Sequence, residues 1–227
     1  MRRVVNTGTL GEISGKQAKP LEIISIILGI IALLILVMLY KNKKSRTDIT
    51  SLINDFERMS YYTYISKDKI KNIKSESIKA GYPFGWEETY RDFHADAEDL
   101  AEGGIGEFFH KLEPFLLKQG IQITQMNEDI NELGYRIEIN GASYTIYTSE
   151  ELENEDFWAL ASNRAFGIIN HLLTQAHTEE RIYTLYGGND QRAIFLTPKM
   201  FELIQKTNLI ENREKPAKLD YWFKEDA

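Results

Sequence analysis

An apolar run from Leu21 to Tyr40 is the strongest pattern in the chain, and it carries no charge after Glu22. In a helix, about 20 apolar residues span the ~30 Å hydrocarbon layer of a bilayer. A cleaved secretory signal has a shorter apolar core and small residues at its cleavage site, whereas this run ends in Met38-Leu39-Tyr40. The pattern therefore predicts a transmembrane helix at residues 21–40, preceded by a flexible tail at residues 1–20.

Apolar residues recur at helical spacing in several segments after this run. These segments are 49–59, 67–79, two stripes that end at Gly103-Gly104 and at Gly120, and 156–176. The two stripes predict an antiparallel helix pair, with a kink at Pro114 in the second helix. Apolar residues cover more than half the circumference of the helix predicted at 156–176, so we expect it at the centre of the domain. Thr197-Pro198 predicts the start of a closing helix.

Alternating apolar and polar residues predict the strands. Segments 135–139 and 142–146 flank the two-residue turn Asn140-Gly141, which aligns Ile137 with Tyr144 and Tyr135 with Ile146. Further strands are predicted at 121–126, 181–186 and 192–196. We therefore predict an α+β fold, in which an antiparallel sheet of about five strands packs against helices. This soluble domain takes residues 48–208, and the C-terminal tail 209–227 ends in an aromatic cluster at 221–223 that we expect to dock on it.

Charge is distributed unevenly along the chain. Residues 41–80 carry ten Lys and Arg against five acids, whereas residues 81–227 carry thirteen against twenty-seven, in a chain of net charge −7. Positive residues next to an apolar helix favour the cytoplasmic side of a membrane, and the denser cluster, a basic juxtamembrane collar at 41–47, follows the run. This predicts a single-pass protein of the cell (inner) membrane with a cytoplasmic C-terminal domain. Positive residues at positions 2, 3, 16 and 19 leave the opposite orientation open.

Composition narrows the possible functions. The chain has no cysteine, which excludes disulfides, a thiolate nucleophile and Cys-ligated zinc. An acidic domain is unsuited to nucleic acid, because binding there depends on phosphate neutralisation by Lys and Arg. The negative electrostatic field of the domain favours a basic protein partner instead. The lipid bilayer is the other predicted partner, and no cofactor is expected.

Residue types that bind metals occur in two groups. Asp92, His94 and Asp96 form the first group, and Glu107, His110 and Glu113 form the second. A dimetal site in a helical bundle needs such residues on several helices facing inward, whereas the apolar stripe of this helix runs through Phe108, Phe109 and Leu112. We therefore predict no metal site. The stretch Gly103-Gly104-x-Gly106 has the composition of a phosphate-binding turn, but the acids around it favour a helix cap.

A narrow polar stripe on the predicted central helix is the candidate interaction face. Its members are Asn163, Arg164, Gly167, Asn170 and His171. Residues three, four and seven apart share one face of a helix, and Gly167 leaves room for a neighbouring backbone or a ligand. A solvated edge, or side chains that bind loop backbone, would give the same pattern.

No nucleophile elbow, phosphate-binding loop, dinucleotide fingerprint or zinc-protease motif occurs in the sequence. We therefore predict no catalytic residues and a non-enzymatic protein-interaction domain, the membrane-anchored adaptor or subunit of an envelope-associated assembly. Two alternatives stay open. One is an immunity-type inhibitor of a basic toxin, and the other is a membrane-tethered enzyme that uses the face of Arg164 and His171.

Overall fold

The computed structural model describes residues 20–153, 157–186 and 190–219. The aromatic cluster at 221–223 and residues 1–19 of the predicted tail lie outside these ranges. The chain divides into two compact units, Met1–Ser45 and Arg46–Ala227. The fold is α+β, with helices and two three-stranded antiparallel sheets.

The helices and strands follow one another in a mixed order. The helices are α1 (Pro20–Arg58), α2 (Lys67–Ala80), α3 (Ala97–Ala101), α4 (Ile105–Lys118), α5 (Phe157–Gln175) and α6 (Pro198–Lys206). The strands are β1 (Asp92–His94), β2 (Met126–Asn131), β3 (Gly134–Ile139), β4 (Ala142–Thr148), β5 (Arg181–Leu185) and β6 (Arg192–Leu196). Short 3₁₀ helices occupy Glu87–Thr89, Glu151–Glu153 and Asn212–Glu214. Helices α2 and α5 confirm two predicted helices, with ends that differ by one residue.

The transmembrane helix predicted at residues 21–40 is wrong. Within the residues that the structure describes, no helix combines the length and the apolarity needed to cross a membrane. The apolar run is not an element of its own, because α1 continues past Tyr40 through the basic collar and ends only at Arg58. The large apolar side chains described between Ile24 and Tyr40 are exposed, from 44% at Val37 upward.

The predicted single sheet of about five strands is also wrong. The structure has two sheets, with strand orders β1-β6-β5 and β2-β3-β4. Strands β2 to β4 pair as a meander, β5 and β6 pair as a hairpin, and the short β1 pairs with β6. The physical reason lies in α5, which packs on β4 of one sheet and on β5 of the other and so separates the two.

The hairpin at Asn140-Gly141 has the predicted register next to its turn. The φ angles of these two residues are 52° and 85°, and a two-residue turn of this kind requires both to be positive. Ile137 lies opposite Tyr144, as predicted. Beyond that pair the register shifts, so that Tyr135 lies opposite Tyr147 and not opposite Ile146. An extra residue in one strand of a pair produces such a β-bulge, which the alternation pattern alone does not show.

Two hydrophobic cores lie on opposite faces of the sheet β1-β6-β5. The first contains residues of α3, α4, α5 and the meander, and it receives Ala193 and Phe195 from β6. The second contains residues of α1, α2 and α6, and it receives Ile194 and Leu196. Successive side chains of a strand point to opposite faces, so β6 contributes to both cores in turn. Phe195 stacks on Phe115 of α4, with 3.9 Å between the ring centroids.

Candidate functional site

The predicted stripe on α5 binds the neighbouring strands. The Arg164 guanidinium donates to the carbonyl oxygen of Ile146 at 2.9 Å and to both carboxylate oxygens of Glu151, at 2.8 and 2.7 Å. The Asn170 side chain accepts from the backbone N–H of Ile182 at 2.9 Å and donates to its carbonyl oxygen at 3.2 Å. These bonds hold β4 and β5, one strand from each sheet, against α5.

The other three members of the stripe are buried or half-buried. Gly167 is buried, whereas Asn163 and His171 are half-buried. The His171 ring lies edge-on to the ring of Tyr144, with 6.4 Å between their centroids. The role of this stripe as an interaction face stays a prediction.

The ion pair between Arg164 and Glu151 leads to a pH-dependent prediction. The hydrogen bond from the guanidinium is the main cause that lowers the pKa of the Glu151 carboxyl from 4.5 to about 2. A carboxyl whose pKa falls on folding stabilises the folded state above its unfolded pKa, and this stabilisation disappears as the pH falls from about 4.5 to about 2. We expect NMR titration to place the pKa of Glu151 near 2 in the wild type and closer to 4.5 in Arg164→Met.

The matched control is Arg136→Met, which removes an exposed arginine from β3. It should leave the pKa of Glu151 unchanged. Equal pKa values in the wild type and in Arg164→Met would contradict the ion pair as the cause of the shift.

The structure does not bring the two predicted groups of metal-binding residue types together into one site. Asp92 is buried and accepts hydrogen bonds from the backbone N–H of Gly85 and from Nε of Arg192. Burial raises the pKa of the Asp92 carboxyl, and the Arg192 guanidinium opposes this effect. Glu107 pairs with Lys111 at 2.9 Å. These carboxylates are therefore occupied by the protein's own cations and amides.

His94 and Asp96 lie close to Asp190, which follows the β5 strand. Ligand atoms of the three residues all lie within 4.8 Å of one another. The Asp96 carboxylate already caps α3, where it accepts the N–H groups of Glu98 at 2.9 Å and Asp99 at 3.2 Å. The cap accounts for Asp96, and the cluster has only partly or fully exposed members, so we assign it no ligand.

Arg91 is a buried cation, 1% exposed, that the sequence did not single out. Its guanidinium donates to both carboxylate oxygens of Glu180, at 2.7 and 2.8 Å, and to the carbonyl oxygens of Tyr61 and Phe195, at 2.7 and 3.1 Å. It also lies over the ring of Tyr64, 4.7 Å from the centroid. All three guanidinium nitrogens have partners, so Arg91 joins the segment after α1 to the sheet β1-β6-β5 and does not serve as an anion site.

Strand β2 forms an exposed edge of its sheet. It pairs with β3 along its whole length, and on its other side no described strand pairs with it. Its residues are exposed apart from half-buried Met126, and Leu133 in the following turn is 81% exposed. An edge strand presents unpaired backbone N–H and C=O groups, so it is a template for pairing with another chain.

Two glycines, one in the turn between α3 and α4 and one at the start of α4, allow this part of the chain to pack against β2. A Cβ atom on Gly103, whose φ is +104°, would lie 2.8 Å from Cδ1 of Ile130. A Cβ atom on Gly106 would meet the carboxylate of Glu128. The anion beside the N-terminus of α4 is therefore the protein's own Glu128, whose charge the helix dipole stabilises. The glycine stretch is a close-packed helix start, which agrees with the predicted helix cap.

Helix α3, the turn after it, the first turn of α4, strand β2 and the turn after β2 together carry a group of exposed carboxylates, which we call the acidic edge. Its members are Glu98, Asp99, Glu102, Glu107, Glu128, Asp129 and Glu132. Among the described residues, the cation that forms an ion pair with this group is Lys111, through Glu107. Arg136 of β3 lies opposite Asp129 in the strand pair, and the seven carboxylates outnumber Arg136 and Lys111. Negative charge therefore predominates beside the edge of β2 with which no described strand pairs. Such an arrangement attracts a basic chain and offers it backbone hydrogen bonds.

Comparisons with known proteins found no relative of this chain. It matches no family model, and neither a curated protein nor a solved structure matches it. The function is therefore inferred from the surfaces of the chain itself.

Proposed function

We propose that residues 46–227 act as a non-enzymatic protein-interaction domain, an adaptor or assembly subunit that binds a basic segment of a partner protein along β2. The observation that carries this proposal is the combination of the unpaired β2 edge with the acidic edge and with the exposed side chain of Leu133. Backbone pairing supplies affinity, whereas the charges select the partner and speed the encounter.

The alternation of side chains along β2 explains why a basic segment fits. Glu128 and Ile130 lie toward the turn between α3 and α4, and Asp129 lies on the opposite face of the strand. A strand that paired with β2 would therefore meet a carboxylate on each face, although Glu128 also accepts a hydrogen bond from the Tyr135 hydroxyl and Asp129 one from the Asn131 side chain. Ile130 and Leu133 are 49% and 81% exposed and offer apolar contact at the end of the strand.

The polar face of α5 supports the non-enzymatic part of the proposal. The alternative hypothesis of an enzyme requires Arg164, but its side chain binds Glu151 and the backbone of Ile146. A side chain fixed in this way stabilises the fold and is poorly placed to bind a substrate.

The test compares two triple variants that lose the same charge. The first neutralises part of the acidic edge, with Glu98→Gln, Glu102→Gln and Asp129→Asn. The control neutralises exposed acids elsewhere, with Glu88→Gln, Glu150→Gln and Glu179→Gln. Each protein is used to capture partners from cells of its source at about 0.05 M and about 0.5 M salt, and the affinity of each purified partner is then measured.

We expect the wild type and the control to bind the same basic partner, with an affinity that falls at high salt. The acidic-edge variant should bind it about tenfold more weakly, which corresponds to about 1.4 kcal/mol. Equal binding by the two variants would overturn the proposal, as would recovery of no basic partner at either salt concentration.

A further inference from the structure

A basic groove lies between the C-terminal part of α1 and α2. Its volume is about 640 Å³, and the apolar side chains of Ile70 and Ile78 line part of it. Most of the remaining lining is cationic. The charged residues that line it are Arg46, Glu57, Lys67, Lys71, Lys74 and Lys79.

The positive charge of this groove is only partly neutralised by the protein. Lys74 forms an ion pair with Glu57, and Lys79 forms one with Glu76. In the described ranges, no ion pair joins Lys67 or Lys71 to a carboxylate, and both side chains are exposed. The groove therefore presents ammonium groups beside an apolar surface, which is the chemistry that a phosphate on an amphipathic molecule requires.

We propose that this groove binds the phosphate-bearing headgroups of an anionic lipid surface. Each lysine near such a surface is attracted to it. Ile70 and Ile78 are half-buried against the second core, and their exposed parts would contact the boundary between headgroups and acyl chains. In sequence, the groove begins at Arg46, shortly after the segment from Ile24 to Tyr40 whose large apolar side chains are exposed. An acidic peptide would satisfy the lysines, but it gives no reason for the exposed apolar side chains that precede Arg46 in the sequence.

Electrostatics also orients the bound domain. Residues 81–227 carry thirteen Lys and Arg against twenty-seven acids, so an anionic surface that attracts the groove repels the rest of the domain. The acidic edge is thereby kept available for a protein partner. Lipid binding does not depend on that partner, so either proposal can fail while the other holds.

The experiment measures how the full chain partitions onto vesicles. One set contains phosphatidylcholine alone, and the other contains about 30% phosphatidylglycerol. Binding to the neutral vesicles reports the apolar contribution, and the increment on anionic vesicles reports the electrostatic one. The groove variant carries Lys67→Gln and Lys71→Gln, and the charge-matched control carries Lys118→Gln and Lys199→Gln, which lie outside the groove.

Each lysine at an anionic surface strengthens binding about fivefold. The extra binding to anionic vesicles should therefore be about 25-fold weaker in the groove variant than in the wild type. The control should lose less than about threefold, and binding to neutral vesicles should not change in either variant. Equal losses in the two variants would overturn the proposal, because they would indicate a general effect of net charge.

Discussion

Replacing Arg91 by Met should lower the free energy of unfolding by about 3–5 kcal/mol, because it leaves the carboxylate of Glu180 buried without its cation. Glu180 is 6% exposed, and both of its oxygens accept hydrogen bonds from Arg91. The carbonyl oxygens of Tyr61 and Phe195 lose a donor in the same substitution. Urea unfolding of the wild type and the variant, followed by circular dichroism, measures the difference.

Two further variants distinguish the effect of leaving a buried charge unpaired from the effect of removing any arginine. Arg213→Met removes one partner of an exposed ion pair with Glu211 and should cost less than about 1 kcal/mol. The double variant Arg91→Met/Glu180→Leu removes both buried charges and should recover part of the stability lost in Arg91→Met. A loss in Arg91→Met no larger than that in Arg213→Met would contradict the buried ion pair.

Replacing Gly134 by Ala should destabilise the protein by about 3 kcal/mol, the second largest effect that we expect. The φ angle of Gly134 is +134°, a conformation that costs a residue with a Cβ about 1–2 kcal/mol. The new Cβ would also meet the backbone of Tyr147 and would lie 2.8 Å from Cα of Thr148. Because both contacts are with the backbone of β4, the strand pair must move, at a cost of about 1–3 kcal/mol.

Gly141→Ala is the matched control for this substitution. Gly141 has a φ of +85°, and nothing lies within 4 Å of the position that its Cβ would take. It therefore carries the conformational cost without the collision, and thermal unfolding should show a smaller loss than in Gly134→Ala. Equal losses in the two variants would mean that β4 does not approach Gly134 closely.

The acidic edge shows why the candidate site was not predictable from the sequence. The pattern predicted a strand at 121–126, whereas the structure has β2 at Met126–Asn131, a polar segment without apolar alternation. An exposed edge strand needs no buried face, so its backbone hydrogen bonds to β3 define it and its composition does not. The carboxylates of the α3–α4 turn join it only through the packing at Gly103 and Gly106.

Features with a local cause were determined by the sequence alone. Helical periodicity predicted α2 and α5 to within one residue at each end, and the pair Asn140-Gly141 predicted its hairpin turn and the adjacent register. The tertiary structure decided where α1 ends, how the strands divide into two sheets, and which residue neutralises Arg91. Arg91 and Glu180 are 89 positions apart, and each resembles many surface residues of its type. Only folding brings them together, because the benefit of pairing two charges arises once both have left water.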